Sequence, residues 1–176
     1  MTTSLPIKDK KEINAIEKLF IKKNQTSQLL MFLLSINTGI GLTELLNLKV
    51  KDVKNKNYLL IGKQKSIPLN NKVIELINQE IEDKKNSDYL FKNSRGNKFD
   101  RGLLFYAFKE SCEELGLSEH YSLDSWRKTF AYHHYLKYKD LSYIGWLFNH
   151  NNINQTLKYI DVKENINLRY AKGIVL

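Results

Sequence analysis

Asp124-Ser125-Trp126-Arg127-Lys128-Thr129-Phe130-Ala131 opens the last third of the chain, and its reading decides the fold. The spacing predicts a helix over 123–137, with further helices near 140–148, 153–160 and 163–172. On these helices lies a set of polar residues that core packing does not explain. Arg127 is followed by His150 in Leu147-Phe148-Asn149-His150, and by Tyr159 in Thr156-Leu157-Lys158-Tyr159.

Upstream, charges alternate with Ile13, Ile16, Leu19 and Phe20 over residues 8–23, the pattern of an amphipathic helix. Thr26 or Ser27 is expected to cap the next helix. Its body, Leu29 to Ile36, is apolar almost all round and therefore buried. Thr38-Gly39 interrupts it, and a short helix restarts over 42–48. From Val50 the period changes. Tyr58 to Ile61 and Ser66 to Leu69 flank Gly62-Lys63-Gln64-Lys65 as a hairpin, with Pro68 marking an edge strand. Helices are predicted over 73–81 and 103–115, the second stopped by Gly116, with a loop at 94–97. The fold class is α+β, mostly helical, with one small antiparallel sheet.

The 176 residues suit one domain. No apolar run reaches the length of a membrane-spanning helix, and the first residues lack an apolar signal core, so the chain reads as cytosolic. The single cysteine, Cys112, excludes an intramolecular disulfide, and no Cys/His cluster suggests zinc. Against 19 acidic residues stand 28 basic ones, a formal net charge of +9 that favours polyanions, nucleic acid first. A lysine-rich composition alone would give the same balance.

A guanidinium, an imidazole and a phenol brought together would suit attack on a phosphodiester. Arg127 would neutralise phosphate oxygens, His150 would donate to one, and Tyr159 would supply the nucleophile. With Thr38-Gly39-Ile40-Gly41-Leu42-Thr43-Glu44-Leu45 and Asp52 upstream, the chain resembles the catalytic domain of the tyrosine recombinase (phage integrase) family from about Lys8 to Tyr170. Register with the family boxes puts Arg127, His150 and Tyr159 at catalytic positions. The resemblance implies a further catalytic lysine on the hairpin, protonating the departing 5′-oxygen. Lys63 is the candidate, with Lys65 competing and a solvated turn lysine as the bland reading.

Two positions depart from the family pattern. Gly41 stands where the first catalytic arginine is usual, and Asp124 where a histidine is usual. His120 lies too far upstream to replace that histidine, and Tyr132-His133-His134 reads as packing and surface. Arg101 or Arg95 could replace the missing guanidinium, and Asp124 could serve as base to the phenol if a neighbouring lysine muted its charge. Lys65, Lys128 and Arg101 are expected to contact DNA.

The resemblance implies double-stranded DNA as partner, with a homo-oligomer or an active recombinase alongside. It implies no metal, ATP or other cofactor and no membrane. It also implies a single domain over 1–176 without the family's N-terminal core-binding domain. The apolar residues Leu168, Tyr170, Ile174, Val175 and Leu176 would fold back on their own domain or pack on a neighbour. Two functional readings stay open: strand cleavage and rejoining through a 3′-phosphotyrosine, or a catalytically silent DNA-binding module of the same fold.

Overall fold

A computed structural model describes residues 4–62 and 64–163. In chain order its elements are α1 (Lys10–Lys22), α2 (Thr26–Thr38), α3 (Leu42–Asn47), α4 (Val50–Val53), β1 (Tyr58–Ile61), β2 (Lys65–Pro68), α5 (Asn71–Glu80), α6 (Arg101–Glu114), α7 (Leu123–Tyr138), α8 (Leu141–Phe148) and α9 (Ile153–Tyr159). The mostly helical α+β architecture agrees with the sequence reading. Among the described residues no helix is long and apolar enough to cross a membrane.

The all-round apolar character of α2 has the consequence expected of it. Leu29 to Leu34 are all buried, and the helix runs through the middle of the molecule against α1, α5 and α7. Phe32 meets Trp126 of α7 edge-to-face at 5.4 Å, and Trp126 meets Phe108 of α6 at 5.2 Å. This aromatic row locks the helix carrying Arg127 onto the core.

Helix ends differ in places from the sequence reading. Neither Thr26 nor Ser27 caps α2; Gln25 occupies that position without a side-chain cap, and the Ser27 hydroxyl donates to Glu80 instead. Four-residue α4 falls where only a change of period had been read. Asp52 caps its start by accepting from the Lys49 N–H at 2.8 Å. Gly116, at φ 62°, follows the end of α6, and the Leu117 N–H returns to the Cys112 carbonyl at 2.9 Å.

β1 and β2 pair antiparallel from Tyr58 opposite Pro68 to Ile61 opposite Lys65, with turn residues Gly62 after β1 and Gln64 before β2. Pro68 sits at the strand end, where its missing N–H costs no ladder bond. The turn is tied back to the helical body, since the Gly62 N–H donates to Glu44 Oε1 of α3 at 2.6 Å.

Before α1, the chain from Ser4 to Ile7 lies along α7. The Ile7 N–H donates to Thr129 Oγ1 at 2.8 Å, and Lys128 Nζ donates to the Ser4 carbonyl at 2.8 Å. Lys8 then pairs with Asp161 at 2.7 Å, joining this segment to the residues just after α9.

Candidate active site

Three side chains from separate elements gather around the ring of Phe148, the last residue of α8. The Arg127 guanidinium carbon lies 4.2 Å from its centroid, the Tyr159 ring 5.4 Å and the His150 ring 5.7 Å. His150 and Tyr159 are themselves 5.1 Å apart between centroids. Phe148 is thus an apolar hub, 8% exposed, that spaces a cation, an imidazole and a phenol. Sequence reading quoted this residue without assigning it that part.

Each of the three is held by its own local device. Arg127 Nε donates at 2.9 Å to the carbonyl of Gly39, the left-handed cap of α2. Gly39 is required twice over. Its φ is +71°, and an added Cβ would come within 2.7 Å of Phe130 and 2.9 Å of Phe148. His150 follows Asn149, whose φ of 57° closes α8, and the His150 N–H reaches the Gly145 carbonyl at 2.8 Å. Asparagine is one of the few side chains tolerated in that conformation. His150 Nδ1 lies 3.0 Å from Thr156 Oγ1, which fixes the ring and leaves Nε2 without a protein partner among the described residues.

Electrostatics set the resting protonation. Burial, then the Arg127 charge, lowers the pKa of His150, so a neutral imidazole prevails at neutral pH. The Tyr159 phenol has its pKa raised, first by burial and then by the Asp124 carboxylate, while Arg127 pulls the other way. The phenol is therefore protonated at rest and must lose its proton before attack.

Asp124 is exposed and compensated. Its carboxylate accepts from Ser4 Oγ at 3.0 Å and lies 3.4 Å from Lys128 Nζ. Lys128 is only 5% exposed and lies 5.1 Å from the Tyr159 ring centroid. The structure therefore gives it an inward place between Ser4, Asp124 and Tyr159.

Beside Arg127 lies an open depression of about 380 Å³, lined by Gly41, Thr43, Glu44, Arg101, Asp124 and Arg127 among others. Gly41 precedes α3 with φ −75°, an ordinary conformation, and caps it without a side-chain bond. As a cap, glycine costs only about a few tenths of a kcal/mol against a polar capping residue, less than in a helix body. A Cβ there would meet only Arg127 Nη1, at 3.4 Å, and the guanidinium carbon, at 3.9 Å.

The sequence pattern described as the phage integrase family matches residues 7–165. A curated relative, "Probable integrase/recombinase YoeC" of Bacillus subtilis (strain 168), is 31% identical over 165 residues, covering 90% of this chain and 90% of that protein. This chain belongs to the phage integrase family, the tyrosine recombinases.

Solved structures agree on the fold. The XerH site-specific recombinase bound to its difH substrate superposes with a TM-score of 0.77 at 23% identity, over 99% of this chain and 54% of that one. XerA recombinase gives 0.75 at 17% identity, over 96% and 62%. A lambda integrase dimer bound to a core site gives 0.66 at 18%, over 90% and 48%. The chain thus spans roughly half to two thirds of these recombinases.

The remaining expected site residues of this integrase-family chain divide. Lys65 turns to α8: its ammonium donates to the carbonyls of Trp146 and Leu147, the latter at 3.0 Å, and to Asn149 Oδ1 at 2.7 Å. It neutralises the end of the helix that presents His150. Lys63 and the apolar residues from Leu168 to Leu176 lie outside the described residues. Arg95 lies in the Asn93–Asn97 turn and does not line the depression, whereas Arg101 does. His133 Nε2 bonds the Ile7 carbonyl at 3.0 Å and His134 stacks on Tyr143, so both serve packing. Sequence reading also missed Thr156, Ser4 and the hairpin tether of Glu44. Only Glu44 carried a signal, its place in the first box.

Proposed function

We propose that this chain breaks and rejoins DNA strands through Tyr159, and the observation that carries the reading is the gathering of Arg127, His150 and Tyr159 around Phe148. The Tyr159 oxygen attacks a backbone phosphorus, a P–O bond to tyrosine forms, and the bond to the 5′-oxygen breaks. Arg127 and the free Nε2–H of His150 stabilise charge on the non-bridging oxygens. Asp124 accepts the phenol proton. Lys128 beside it mutes the repulsion between carboxylate and phosphate. Lys63, next in sequence to the Gly62 that Glu44 holds, protonates the leaving 5′-oxygen. Lys65 is the weaker candidate because its ammonium is already engaged by three acceptors at α8. The energy of the broken bond stays in the phosphotyrosine, so rejoining by a 5′-hydroxyl reverses the same steps.

Double-stranded DNA is the proposed partner, drawn by a net charge of +9. Relatives described as recombinases, some of them bound to DNA, support this partner and the reaction class. A second reading, a silent DNA-binding module, is favoured by the absence of a guanidinium at Gly41 and by the raised pKa of the nucleophile.

The two are separated by trapping covalent adducts on nicked duplexes of random sequence, under denaturing conditions. The cleavage reading expects an adduct that disappears in Tyr159→Phe, and the captured sequences would report the preferred site. DNA binding that weakens with salt, without any adduct, would establish the silent module instead.

A further inference from the structure

We infer that Arg101 supplies the second phosphate-binding guanidinium, reaching across the depression that Gly41 leaves open beside Arg127. The inference rests on the phosphodiester reading of the site and adds a residue to it. Four charged side chains line that depression, and three are committed elsewhere in the fold. Arg127 gives its Nε to the Gly39 carbonyl. Glu44 holds the Gly62 N–H. Asp124 is satisfied by Ser4 and Lys128. Arg101 alone of the four has no hydrogen-bond or ion-pair partner among the described residues, and it is exposed.

Its placement is fixed although its side chain is free. Arg101 is the first residue of α6, and Asp100 caps that helix by accepting the Leu103 N–H at 2.8 Å. Behind it, Leu104 and Phe108 are fully buried, Phe108 against Trp126, so the helix start cannot drift from α7. A long cation on a rigid base thus faces a depression whose other cation, Arg127, is already oriented.

The empty space has the right neighbour. The direction a side chain would take from Gly41 leads to the Arg127 guanidinium, 3.4 Å from Nη1. A phosphate on Arg127 would lie beside the depression, which Arg101 also lines. Two guanidiniums sharing one anion with fixed donors bind it far better than one, because charge-assisted bonds are about twice as strong as neutral ones.

The test uses the full chain and two readouts. In the first, inorganic phosphate is titrated while the side-chain Nε–H signals of Arg127 and Arg101 are followed by NMR. Both are expected to move on one isotherm, and Arg101→Ala should weaken the isotherm seen at Arg127 by about tenfold. Arg101→Lys should weaken it less. Melting temperature should change little, since Arg101 makes no side-chain hydrogen bond or ion pair among the described residues.

In the second readout, adduct formation on nicked duplexes should fall in Arg101→Ala by about 10² to 10³ and recover in Arg101→Ala with Gly41→Arg. Where the natural chain forms the adduct, an undiminished rate in Arg101→Ala overturns the inference and leaves cleavage by Tyr159 standing. Where it forms none, the cleavage reading falls and the isotherm decides. A shared, Arg101-dependent isotherm then supports the inference, and an unmoved Arg101 signal overturns it.

Discussion

The two walls of the site are built differently. On the side gathered around Phe148, every functional group is also part of the packing: Arg127 lies on Phe148 and caps α2, His150 leans on Thr156, and the Tyr159 ring touches both Phe148 and His150. On the other side, Gly41 and Asp124 carry none of the core. The first has an ordinary backbone conformation with open space ahead of it, and the second is exposed and neutralised at the edge. Side chains that serve chemistry and packing together cannot change without unsettling the fold. Those that serve chemistry alone can change at no structural cost. The fold is therefore indifferent to the two departures, and any penalty falls on rate.

The comparison breaks most sharply if the packed wall is damaged. Arg127→Ala should reduce adduct formation by about 10³ to 10⁵, the range for a transition-state arginine. Mending the open wall with Gly41→Arg and Asp124→His should raise it, by up to about 10². The gain is capped because Arg101 already serves part of the task. Initial rates on nicked duplexes measure both, and an unchanged rate in Arg127→Ala would remove that residue from the chemistry.

Two glycines two residues apart sharpen it next. Gly39→Ala forces a side chain into φ +71° and into the rings of Phe130 and Phe148. It should destabilise by about 2 to 4 kcal/mol in urea unfolding. Gly41→Ala meets only the Arg127 guanidinium, at 3.4 Å from Nη1, and should stay within about 1 kcal/mol of the natural chain. Equal effects at the two positions would refute the contrast between the walls.

Lys65→Met comes third. It removes the cation from the carbonyl end of α8 while keeping the aliphatic stem, at a cost of about 1 to 2 kcal/mol. Because Asn149 precedes His150, adduct formation should fall along with stability. A variant that melts earlier but cleaves normally would confine Lys65 to the fold.

Much of this was legible in the chain. The helical periods located the helices from α5 to α9 to within about two residues, and the all-round apolar run of α2 announced the buried centre. The positions of Arg127, His150 and Tyr159 followed from register. What escaped reading was whatever depends on direction in space. Lys65 and Lys128 read as DNA contacts because nothing in sequence shows that α8 ends beside one and Ser4 lies across the other. Phe148 drew no role from sequence because a hub is defined by its three neighbours, which come from three different places in the chain. Arg101 was one of two possible arginines until the depression distinguished it from Arg95.

The smallest expected effect concerns acid. His133, His134 and His150 all have pKa values lowered, in each case first by burial, and all three belong to the packed wall. Lys10 adds to the lowering at His133, Lys137 at His134 and Arg127 at His150, while the Ile7 carbonyl and Asp140 oppose it at the first two. A lowered pKa means that the folded chain binds fewer protons than the unfolded one. Their contribution to stability is thus held in full above the unfolded value of about 6.5 and lost as pH falls towards the folded values. Unfolding midpoints should drop between pH 7.5 and pH 5.5, and His150→Gln should remove part of that drop. Hydrogen exchange would locate it: faster opening of α7 and α8 at pH 5.5, with α1 and α5 unchanged, is the expected pattern. Uniform acceleration across the chain would show that protonation acts on the whole fold instead, and would dissolve the distinction between the two walls where acid is concerned.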